Sequence, residues 1–133
     1  MGSRVALFAC LLALSLVSCG TGDREDDAAA VAHRFHAALE ARDGQAACDE
    51  LSEETASKLE DQEKKPCEDA ILSLDLTKGG TVADSRVELN SAFAQISEGG
   101  TDFLDEGPHG WMVSAAGCEP TAPSKPYDCE LEN

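Results

Sequence analysis

Large apolar side chains are scarce in this chain. From residue 19 to residue 133 there are 133 − 18 = 115 positions, and Leu, Ile, Val and Phe fill 18 of them, about 16%. That lies below the roughly 20% under which a strongly charged chain lacks the burial to fold unaided. Cations are also few, 10 Lys and Arg against 26 Asp and Glu, for a formal net charge of −16. Such a surface repels phosphate backbones and anionic headgroups, which excludes nucleic acid as a partner. Residue sets that signal a reaction are missing too: no Ser-His-Asp set, phosphate loop or Cys-His nucleophile pair can be picked out.

The apolar residues that do cluster lie at the start. After the single cation Arg4, residues 5 to 17 run thirteen positions without a charge, rich in Leu, Val and Ala. This is the pattern of a secretory signal. At 1.5 Å rise per residue the run spans about 20 Å, short of the roughly 30 Å that a transmembrane helix crosses. The run ends Leu16-Val17-Ser18-Cys19-Gly20, which resembles a bacterial lipobox. That resemblance implies cleavage before Cys19 and acylation of its thiol. Two or three acyl chains, at about 0.8 kcal/mol per buried methylene, make a lasting anchor. Gly2 is not a myristoylation site, since position 6 is Ala rather than Ser or Thr. Residues 1–18 are therefore expected to be a lipoprotein signal, 19–25 a lipid-attached polar spacer and 26–133 a single domain. Membrane lipid, through acylated Cys19, is the first expected partner, and the extracytoplasmic face of the cell membrane the location. Losing Arg4 takes the formal charge to 9 − 26 = −17.

Cysteine compensates for the thin apolar supply. With Cys10 in the signal and Cys19 acylated, Cys48, Cys67, Cys118 and Cys129 remain. Outside the membrane disulfides are permitted, and four cysteines allow three connectivities. The local pairings, 48–67 and 118–129, each lie within matching structural punctuation. They close loops of 20 and 12 residues, worth roughly 3 kcal/mol each in the chain-entropy account. A zinc site, with closely spaced ligand pairs, fits these spacings poorly.

Along the chain, Ala28, Val31, Phe35, Ala38 and Leu39 recur at helical spacing from Asp26 to Asp43-Gly44. Two short helical pieces follow, 45–51 and 53–59, with Ser52 as a cap between them. Pro66 suits the first turn of a further helix with Cys67, Ala70, Ile71 and Leu74 on one face. After Lys78-Gly79-Gly80 the period changes to two. Val87 and Leu89 alternate with charges, 92–97 reads as a strand, Gly99-Gly100 as a hairpin turn before 101–105, and 107–110 as a turn before 111–116. Helices followed by antiparallel strands predict an α+β domain.

The order of elements, with GWMVSAAGC at 110–118 and PYDCELE at 126–132, resembles a group of small actinobacterial lipoproteins with an NTF2-like, cystatin-like cone. The resemblance implies helices packed on a curved antiparallel sheet and the same cysteine layout at Cys48, Cys67, Cys118 and Cys129. It brings no catalytic residues. It also implies room for a pocket between sheet and helices, for which Phe93, Phe103, Trp111 and Tyr127 are the candidate lining; as core residues they would need no ligand. His109 lies in a turn nearby in sequence.

Other candidates weigh less. On a helical wheel oriented on Val31, the residues His33, His36 and Glu40 all fall on the far side of the helix. That face is expected to be solvated, with a weak His36–Glu40 pair rather than a metal site. Asp102, Asp105 and Glu106 lack calcium-loop spacing and are expected to be surface charge. No cofactor and no metal is expected, and no buried acid suited to isomerase chemistry can be named. The expected function is that of a non-catalytic binding or interaction domain at the cell envelope, contacting another envelope protein or a small apolar ligand, with an isomerase- or cyclase-type enzyme as the alternative.

Overall fold

The computed structural model describes residues 20–123 and 126–133. Residues 1–18, expected to be a signal, and the acylation candidate Cys19 lie outside the described residues, as do 124 and 125.

Helix α1 runs Thr21–Glu40. It starts five residues before Asp26, so the expected polar spacer is largely helical. Asp23 sits in the first turn, where a carboxylate offsets the unpaired N–H groups. The extension is held from outside as well: the Ser85 hydroxyl donates to the Glu25 carbonyl at 3.3 Å, and Arg24 pairs with Glu106.

Helix α2, Gly44–Asp49, is capped by Asp43, whose carboxylate accepts from the Ala46 N–H at 3.0 Å. Ser52 caps α3, Glu53–Glu63, by accepting from the Thr55 N–H, as expected from sequence. Helix α4, Cys67–Ile71, follows Pro66 and buries Cys67, Ala70 and Ile71. A Cβ built on Gly44 would come within 2.0 Å of the Glu68 carbonyl oxygen, so glycine there lets α2 and α4 touch backbone to backbone. The Cys48–Cys67 disulfide joins the same two helices, with Cα atoms 6.2 Å apart.

Five strands follow: β1 Val82–Glu88, β2 Ser91–Ile96, β3 Thr101–Gly107, β4 Gly110–Pro120 and β5 Tyr127–Glu132. They form one open antiparallel sheet in sequence order. Leu89, expected to extend the first strand, instead turns the hairpin between β1 and β2. Cys118 and Cys129 are direct cross-strand partners and form the second disulfide. Both local disulfide pairings and the α+β order are as the sequence predicts.

Period-two alternation sends Ala92, Ala94, Ile96, Leu104 and Val113 to one face of the sheet, where α1 covers them with Phe35, Val31 and Leu39. Irregularities in the β3–β4 register leave Val113 and Ser114 both buried. Val113 is also tied to the α2–α3 junction: its N–H donates to the Glu50 carbonyl at 2.8 Å, and its carbonyl accepts from the Ser52 N–H at 2.9 Å. Small residues thus make a core of Ala, a few Leu and single Phe and Trp side chains, locked by two disulfides.

Candidate functional site

Burial of charge is the first place to look for chemistry, and among the described residues His36 and Asp102 form a buried pair, ionic when His36 is protonated. His36 is 1% and Asp102 0% exposed. The His36 Nε2 lies 2.6 Å from Asp102 Oδ2, and Nδ1 lies 2.6 Å from the Thr77 carbonyl oxygen. The other Asp102 oxygen accepts from the Gly117 N–H at 3.2 Å. Both partners of the ring accept hydrogen bonds, so an imidazolium donating from both nitrogens satisfies all of them. Burial disfavours that charge, but the hydrogen bond and negative charge of Asp102, with help from the Thr77 carbonyl, outweigh it and raise the His36 pKa above its ordinary value.

Two sequence expectations are corrected here. His36 is not on a solvated face and does not pair with Glu40. The buried residues of α1 (Ala28, Val31, Ala32, Phe35, His36, Ala38, Leu39) cover an arc roughly 160° wide around the helix axis. Val31 lies toward one side of that arc and His36 at its far border, so a wheel oriented on Val31 alone misplaces it. His33 and Glu40, farther round the helix, are exposed. Asp102 is not surface charge either. Alternation along β3 puts Asp102 with Leu104 on the covered face and Asp105 on the open one. A buried acid therefore exists where none could be named.

Its surroundings decide what it does. Five surface clefts are lined entirely by other residues, and both side chains are enclosed. A general base must touch its substrate, and among the described residues both members of this pair are covered. In this structure the pair joins α1 to β3.

The four aromatic candidates are not brought together. Phe93 and Phe103 are cross-strand partners on the open face of the sheet, half-buried, beside a shallow cleft of about 170 Å³ shared with Arg86 and Glu88. The Tyr127 ring packs edge-on against Phe103 at 5.0 Å. Trp111 lies on the covered face, 6% exposed, with the Arg24 guanidinium 5.3 Å from its ring centre. One box lined by all four would need them on one face. His109 is exposed at the β3–β4 turn. Among the described residues no group of three His, Cys, Asp or Glu side chains could hold a metal ion.

Of the five clefts, the one with the largest apolar wall is one that sequence reasoning missed. A groove of about 460 Å³ lies between the α2–α3 junction and the β3–β4 hairpin, a size in the usual range for small-ligand sites. Leu51, Ala56, Pro108 and Met112 give it apolar walls, and Asp49, Glu53, Asp105, Glu106 and His109 lie around them. Its walls are rigid because the Glu50 and Ser52 backbone bonds to Val113 and the Thr55 hydroxyl bond to the Ser114 carbonyl, at 3.0 Å, hold helix to sheet. The two walls come from segments some fifty residues apart, so no local pattern announces it.

Among the described residues no helix is long and apolar enough to cross a membrane. The fold and disulfides define an α+β, disulfide-stapled domain. No family model, curated protein or solved structure matches the chain.

Proposed function

We propose that the chain is a lipoprotein held on the extracytoplasmic face of the cell membrane through acylated Cys19, and that its domain is a non-catalytic binding module with an NTF2-like arrangement of helices and sheet. The groove between the α2–α3 junction and the β3–β4 hairpin is the observation that supports binding. It is apolar inside, ringed mainly by carboxylates and built on rigid elements. Its volume suits a small apolar molecule or an apolar side chain of an envelope protein. The isomerase or cyclase alternative would need substrate access to the enclosed His36–Asp102 pair, and the enclosure weighs against it.

Two measurements test the proposal. Radiolabelled fatty acid should be incorporated into the wild-type chain and not into C19S; equal labelling of both removes the anchor. Nile red, an uncharged apolar probe, should brighten on binding the wild-type domain and stay dim with A56F, whose ring fills the groove. Unchanged binding by A56F removes the groove.

A further inference from the structure

The hairpin between β1 and β2 turns through Leu89 and Asn90, with Glu88 paired to Ser91 on either side. Leu89 has φ 55°. That is the first central position of a two-residue turn, where glycine is the residue best able to adopt positive φ. The side chain is also 88% exposed, and the other exposed large hydrophobic among the described residues, Tyr127 at 44%, rests against Phe103. Leu89 thus combines a positive φ with an almost fully wetted apolar side chain. A lone exposed leucine is ordinary, but one held at a positive φ where glycine would be unstrained calls for a contact outside the domain.

Its position says which contact. Arg24, the fourth residue of α1, donates to the Leu89 carbonyl at 2.5 Å and pairs with Glu106 at the end of β3. The start of α1, the β1–β2 tip and the β3–β4 tip therefore share one end of the domain. The opposite end holds the Gly79 N–H on the His36 carbonyl and Thr77 beside Glu98. Cys19 directly precedes Gly20. The Arg24 N–H donates to the Gly20 carbonyl, so helical rise places the Gly20 Cα about 6 Å along the axis from that of Arg24.

We propose that Leu89 is a second membrane contact, inserting into the apolar part of the bilayer surface beside the acyl chains and setting the orientation of the domain. This rests on the reading of Cys19 as the lipidated residue. One leucine is too weak to recruit a soluble protein, but an anchor that already holds the tip at the surface makes its insertion effectively intramolecular. Glu88, Asp23 and Glu106 at the same end repel anionic headgroups, so the surface it suits is zwitterionic. The geometry also leaves the Pro108-His109 rim of the groove close to the membrane.

The test uses the full lipidated chain in phosphatidylcholine vesicles, with and without bromine on the acyl chains. The indole of L89W should lose about half its emission to brominated lipid, a depth of about 5–10 Å being within reach of the quencher, while K78W at the opposite end should lose no more than the wild-type background. In a second measurement, amide exchange at residues 88–91 of the wild type should slow several-fold on vesicle binding. It should not slow in L89G, which should melt at or above the wild-type temperature because glycine accepts the positive φ. Vesicle flotation and a diacyl mass on Cys19 report the anchor separately. An anchored L89W that is not quenched, with unchanged exchange at 88–91, overturns the insertion and leaves the anchor standing. Protection of the tip that requires an added membrane protein assigns it to a protein contact and also overturns the proposal.

Discussion

Replacing Asp102 with Asn separates the charge of the buried pair from its shape. In the wild type the protonated form of His36 can donate to both the Thr77 carbonyl and Asp102. In D102N the ring has no counter-ion, and its neutral form still donates from Nδ1 while Nε2 accepts from the Asn amide. Removing one partner of a buried pair costs about 3–5 kcal/mol when the other charge stays. Release of the His36 proton relieves part of this, so the expected loss is about 1–3 kcal/mol. The pH dependence fixes the sign. Because the folded pKa of His36 is raised, the stability it contributes is fully present below the unfolded value near 6.5 and is lost as pH rises through the folded value. The difference between wild type and D102N should therefore be largest near pH 6 and shrink toward pH 9. Urea unfolding of both proteins at half-unit steps measures it, the exposed carboxylates being common to both. A difference under about 0.5 kcal/mol at pH 6, or one that does not change with pH, refutes a charged pair in the core.

Other perturbations have equally direct readouts. Removing the 48–67 bridge as C48A/C67A should cost about 3 kcal/mol in urea unfolding under oxidising conditions, and an unchanged midpoint would mean that the bridge constrains nothing. Removing 118–129 as C118A/C129A should cost a similar amount, and amide exchange should rise first along Tyr127–Glu132, the edge strand it fastens. G44A should lose about 1–3 kcal/mol or shift α2 from α4, because its methyl would overlap the Glu68 carbonyl; wild-type stability would show that the helices part freely. S52A should cost about 1 kcal/mol through loss of the α3 cap, measured by the same unfolding curves.

Much of the architecture is legible in the sequence because its signals are local. Ser52, Pro66 and the Gly99-Gly100 turn act within four residues of themselves, and the element order follows from them. Both disulfides are readable because each joins neighbours along the chain. The true start of α1 is hidden because Thr21–Glu25 carries no apolar stripe; what supports it are Ser85 and Glu106, sixty and more positions away. Asp102 does carry a usable signal, since it alternates in phase with Leu104, but closeness in sequence groups it with Asp105 and Glu106, which the strand places elsewhere.

By itself the sequence determined the class of fold and narrowed four cysteines to three pairings, of which the local one is formed, because these depend on composition and spacing along the chain. It also holds the proposal for Cys19. Only the tertiary structure decided that His36 and Asp102 meet, that the four aromatics divide between two faces, and that residues 48–56 and 105–112 form a groove. The physical reason is separation: each depends on groups dozens of residues apart in the chain, brought together by the register of the sheet and the packing of α1 across it.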